Sequence, residues 1–146
     1  MAPYLMRIYP PSPHAPHEFR RCQCPPVAAS DFIFTAGRRF PQQASDTIKA
    51  WRHVPLFEYV SADDLFDHLP KGCIPVAVEL ATKARSLPRF IHPERACYIL
   101  GAEDTGVPKR VLDRCPLVVE IPSDRCLNVA VAGSIVLYDR LSKSIA

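Results

Sequence analysis

Two short stretches carry the residue types best suited to chemistry. The first is ILGAEDTGVP, residues 99–108. Gly101 and Gly106 let the backbone turn tightly and approach a ligand closely. Glu103 and Asp104 stand between them. The second is IPSDRCLNVAVAGSIVLYDRL, residues 121–141. Every residue from Val129 to Tyr138 is apolar or small, and one amide, Asn128, sits at the head of that run. Each stretch, read alone, has a structural account. Glycine loops between a strand and a helix are common, and an asparagine before a helix caps its first turn. Capping explains Asn128 as well as catalysis does at this point.

The elements that must position these residues follow from pattern and punctuation. Strands are expected at LMRIY (5–9), DFIFTAG (31–37), VPLFEYV (54–60), IPVAVEL (74–80), ACYILGAED (96–104) and PLVVEIP (116–122). The last three are apolar at nearly every position, as in strands covered on both faces. SADDLFDHLP (61–70) reads as a helix with Ser61 as N-cap, acids in its first turn and Pro70 as its stop. VPKRVLDRC (107–115) starts a helix with Pro108 near its first position, and PQQASDTIKAW (41–51) allows one or two helical turns. The last helix is expected over 127–141. Because it is apolar on all sides, it is expected to be buried all round. Strands alternating with helices predict an α/β fold with a mostly parallel sheet flanked by helices. Both chemical stretches then fall in loops at the C-terminal ends of strands, where such sheets bind ligands.

The bulk properties agree. A chain of 146 residues is expected to form a single domain over 1–146. Its net charge of +3 permits nucleic-acid binding without demanding it. The apolar run at 129–138 is about half of what a membrane span needs. The first residues show no apolar signal-peptide core, so a cytoplasmic protein is expected, with its six cysteines as thiols. Proline is abundant, at 16 residues, and crowds the segment 10–30, where regular structure is not expected.

Taken together, the order strand, LGAEDTGVP, short helix, LVVEIPSDRCLNVAVAGSIVLYDRL resembles the second and third motifs of the SpoU/TrmH-type RNA methyltransferases of the SPOUT superfamily. The matching residues are Gly101, Glu103, Gly106, Ile121, Pro122, Cys126, Leu127, Asn128, Val129 and Ala132. The resemblance is strong over 74–141 and extends weakly to DFIFTAGRRF and ASDTIKAWRHVPLFEY. It implies an α/β domain with a C-terminal trefoil knot, a rare departure from unthreaded chain topology. It also implies a homodimer through the C-terminal helix and S-adenosylmethionine as cofactor, with no metal. The cofactor residues so implied are Leu100, Gly101, Glu103, Gly106, Ile121, Pro122, Cys126 and Leu127. The reaction implied is methyl transfer to a ribose 2′-hydroxyl of tRNA or rRNA, with Asn128, Glu103 and Arg21 as catalytic candidates. A 2′-hydroxyl is a poor nucleophile at neutral pH, so the site must align it and help remove its proton.

The chain departs from the family in two places. The family's first motif places an asparagine near a glycine, then an arginine, after the first strand. Between Tyr9 and Asp31 this chain has neither asparagine nor glycine; Arg20 and Arg21 stand near the expected position. The rival expectation is therefore a homologue that binds RNA or cofactor but has lost catalysis. The second departure is Cys126 in place of the common serine, a weaker hydrogen-bond donor. Outside the motifs, Arg38, Arg39 and Arg52, with Phe40 and Trp51 nearby, suit phosphate contact and base stacking; the other reading is a solvated surface. His14, His17, Cys22 and Cys24 have poor zinc spacing, and no metal is expected.

Overall fold

In a computed structural model of the protein, the described residues are 4–8, 32–37, 55–101 and 105–145, with the backbone alone at 4–8, 32 and 145. They form strands β1 (Tyr4–Ile8), β2 (Phe32–Ala36), β3 (Leu56–Tyr59), β4 (Ile74–Val78), β5 (Arg85–Ser86), β6 (Ala96–Leu100) and β7 (Leu117–Glu120), and helices α1 (Ala62–Asp67), α2 (Lys109–Leu112) and α3 (Val129–Ile145). A short 3-10 turn at Leu87–Arg89 follows β5.

The strands make one sheet in the order β3-β2-β1-β6-β4-β7-β5. β1 runs antiparallel to β2 and β6, and the other described pairings are parallel. This is the mostly parallel α/β sheet expected. Val76 pairs with Tyr98 and Val78 with Leu100, while Val78 faces Val119 on the other side. Those registers bring the C-terminal ends of β4, β6 and β7 level with one another.

Side-chain alternation builds two cores, one on each face of the sheet. Ala77, Cys97, Ile99 and Val118 join Leu65 of α1 and Val111 of α2 in one. Val76, Tyr98, Leu100 and Val119 join Val136 and Leu137 of α3, with Leu87 and Phe90, in the other. The fold is thus three layers, with α1 and α2 on one face and α3 on the opposite face.

Element boundaries differ from the sequence expectation at several ends. The Ser61 hydroxyl accepts from the Asp64 N–H at 3.1 Å, as a cap should. The helix nevertheless ends at Asp67, before Pro70. Pro108 precedes α2 as its cap residue instead of entering it, and α2 is one turn long. α3 starts at Val129, two positions after its expected start, because Asn128 is its cap. β5 went unforeseen: two residues are too few for any periodicity. The larger difference concerns α3. Gly133, Val136, Leu137 and Arg140 are buried, but Val131 is 47% and Tyr138 72% exposed. Within one chain this helix buries one face, although its sequence is apolar on both.

Candidate functional site

The ends of β4, β6 and β7 border a cavity of about 500 Å³, lined by Val78, Leu100, Gly101, Gly106, Ile121, Cys126, Leu127 and others. A volume of this size suits a small-molecule or cofactor site. Its position at the C-terminal ends of parallel strands is where such sheets bind ligands. The chain order also reverses there, because β6 and β7 flank β4 on opposite sides.

One wall is the loop after β6. A Cβ on Gly101 would overlap the backbone of Gly106 and Val107. Gly101 is therefore required by close approach, and the loop closes on itself. Gly106 adopts φ +65°, which favours glycine. The opposite wall is the segment between β7 and α3. Ser123 shapes it: its hydroxyl donates to the Arg125 carbonyl at 2.7 Å and accepts from the Arg125 N–H at 3.3 Å. Leu100, Ile121, Leu127 and Val129 supply apolar surface, while Glu79 and Arg125 bring one charge of each sign to the lining.

Asn128 stands beside this wall, exposed, at the start of α3. Its side-chain oxygen accepts from the N–H groups of Ala130 at 2.9 Å and Val131 at 3.4 Å, and its carbonyl accepts from Ala132 at 2.9 Å. It caps the helix. Of the other residues singled out in the sequence, the structure gathers Leu100, Gly101, Gly106, Ile121, Cys126 and Leu127 at the cavity. Pro122, which has no N–H to offer a ligand, is exposed and does not line it. Glu103, Arg21, Arg38, Arg39 and Arg52 lie outside the described residues, as do His14, His17, Cys22 and Cys24.

Among the lining positions that went unnoticed in the sequence are Val78, Glu79 and Leu80. Val78 ends β4 and the other two follow it; that loop carries no glycine signature, so only the sheet register exposes them. The cysteines divide by environment. Cys97 and Cys115 are buried. Burial pushes the Cys115 thiol up to about 11, partly offset by Lys83 and Arg114. Cys126 is exposed at the cavity.

The profile of the SpoU rRNA Methylase family matches residues 20–138. The chain belongs to that family. Among curated proteins, it is similar to the mouse tRNA (guanosine(18)-2′-O)-methyltransferase TARBP1, at 28% identity over 100 residues. That match covers 64% of this chain and only 6% of the mouse protein. Among solved structures, the SpoU methyltransferase AviRb from Streptomyces viridochromogenes superposes with a TM-score of 0.70 at 18% identity, over 83% of this chain and 51% of that one. An AdoMet-bound rRNA methyltransferase from Sinorhizobium meliloti gives 0.68 at 18% identity, over 83% and 49%. This SpoU chain therefore shares their fold while spanning about half of their length.

Proposed function

We propose that this chain transfers a methyl group from S-adenosylmethionine to a ribose 2′-hydroxyl of tRNA or rRNA. One observation carries the reading: the two motif loops of a SpoU-family chain converge on a single cofactor-sized cavity at the ends of β4, β6 and β7. The relatives named as AdoMet-bound or as 2′-O-methyltransferases support it.

The residues present fit this cofactor. Leu100, Ile121, Leu127 and Val129 offer an apolar bed for a flat heterocycle. The Gly101–Gly106 loop, with no side chain at either end, lets backbone groups reach a ligand directly. The cofactor supplies an electrophilic methyl group on its sulfonium. The chain's task is to hold the nucleophilic hydroxyl in place, keep water out and accept a proton. Asn128 is proposed to position the ribose, and Glu103 to orient a partner group or the RNA. Arg21 is proposed to act at the 2′-hydroxyl, and Arg38, Arg39 and Arg52 to contact phosphates. We place the chain in a C-terminal trefoil knot, in a homodimer through α3, and in the cytoplasm. No helix among the described residues is long and apolar enough to cross a membrane.

Labelled AdoMet and bulk tRNA and rRNA test the reading. Label is expected in RNA as an alkali-resistant 2′-O-methyl linkage. AdoMet binding without transfer to any RNA would favour the non-catalytic homologue. That second reading is motivated by the absence of asparagine and glycine between Tyr9 and Asp31. No AdoMet binding at all would overturn the methyltransferase reading and leave only a homologue that binds RNA.

A further inference from the structure

We infer that Glu79 is a positioning residue that latches the Gly101–Gly106 loop and preforms the cofactor pocket. This rests on the methyltransferase reading and assigns a role to a side chain that the two motifs leave out. Glu79 is the first residue after β4. Its N–H donates to the Val119 carbonyl of β7 at 3.0 Å. Its carboxylate reaches the other way. Oε2 accepts from the Val107 N–H, in the loop after β6, at 2.6 Å, and Oε1 accepts from the Leu80 N–H at 2.9 Å. One residue thus ties the end of β4 to β7 and to Val107, in the loop after β6, and it lines the cavity itself.

The loop is shaped to receive this carboxylate. A Cβ on Gly106 would overlap Oε2, so the glycine serves both the positive φ and the approach of Glu79. An ionised acceptor makes a stronger bond to an N–H than a neutral one does. The Val107 bond spans 28 residues of sequence, so it fixes one wall of the pocket relative to another. A pocket whose walls are fixed before binding loses less ordering free energy when its ligand arrives. Glu79 need not touch the reacting atoms to matter; it acts through the loop.

Two readouts on the full chain test this: amide hydrogen exchange at Val107, and AdoMet affinity by calorimetry. Glu79→Ala should lose Val107 protection and weaken AdoMet binding by about tenfold or more, the worth of one hydrogen bond to a charged group. Protection of Cys97 and Ile99 in β6 should remain. Glu79→Gln keeps an acceptor of the same reach and should recover part of both effects, which a purely electrostatic role for the charge would not allow. Glu79→Leu keeps the bulk but removes both acceptors and should reproduce the loss, which keeps the test open if Glu79→Ala does not fold. Unchanged Val107 protection in Glu79→Ala would overturn the latch. Lost protection with unchanged AdoMet affinity would overturn its role in the pocket. A wild-type chain that binds no AdoMet would sink the proposed function and this role together.

Discussion

Asn128 serves the helix and, in the proposed reaction, the substrate as well. The two duties are separable because they use different chemistry. The cap needs only an oxygen at the right reach, which serine also provides. Positioning a ribose by its amide needs the amide itself. Asn128→Ala is expected to lower stability by about 1 kcal/mol through loss of the cap and to abolish methyl transfer. Asn128→Ser is expected to restore the thermal midpoint while transfer stays low. If serine restores both, the residue is a cap and nothing more. Cys126, two positions earlier, is a milder case: a thiol fills the place of a serine hydroxyl at the cavity wall and donates more weakly.

At the scale of elements, α3 is held to the sheet by polar groups as well as by its apolar face. His92, its side chain only 6% exposed, sits between Tyr98 of β6 and Asp139 of α3. Its Nε2 lies 2.8 Å from the Asp139 carboxylate and so donates to it; its Nδ1 lies 2.5 Å from the Tyr98 hydroxyl and accepts from it in the neutral ring. Arg140 donates to the carbonyls of Pro93 and Glu94 at 2.6 Å each, and Lys143 to that of Leu87 at 2.7 Å. Burial holds the His92 pKa below its ordinary value of 6.5, helped by the charges of Arg140 and Lys143 and opposed by Asp139. The unfolded chain then binds the extra proton more readily than the folded one. Stability should be fully present above pH 6.5 and fall as pH drops from there through the lower folded value. At the alkaline end, burial raises Tyr98 from 10.0 to about 12, so stability should fall again as pH climbs through that window. Thermal midpoints across pH for wild type and His92→Gln check the acid limb, which the variant should flatten. None of this network was legible in the sequence. His92, Asp139 and Lys143 are ordinary surface types, and only the packing of α3 on the 87–95 segment brings them together. By contrast, the strands at β4, β6 and β7 and the Ser61 cap could be read directly, because continuous apolar runs and capping residues are local signals. Six of the eight positions expected from the paired motifs line the cavity, whereas Glu79 became visible only once register had placed β4 between β6 and β7.

At the scale of the whole molecule, the outer face of α3 is the feature that one chain leaves unexplained. Val131, Ser134, Ile135 and Tyr138 recur at helical spacing and line a shallow apolar hollow with Ala130. The Ser134 hydroxyl turns back to the Ala130 carbonyl at 2.8 Å, which removes its polarity from that face. On the inner face, Val136 and Leu137 are already committed to the core. Exposed apolar patches of this kind mark association surfaces. A two-fold pairing of one helix face with itself is the simplest closed solution, since the same patch serves both subunits. The small residues Ala130 and Ser134 would let two such helices approach closely. A charge placed on this face has no partner among the described residues and would be buried unpaired on association. The 16.3 kDa chain is therefore expected to elute with the mass of a dimer in light scattering. Val131→Glu or Tyr138→Glu should shift it to monomer without changing its far-ultraviolet circular dichroism. Because α3 begins at the cavity wall, with Val129 and Ala132 in its lining, the monomeric variants should also bind AdoMet more weakly. A variant that stays dimeric would place the interface elsewhere. A monomer with full AdoMet affinity would show that the pocket is complete within one chain.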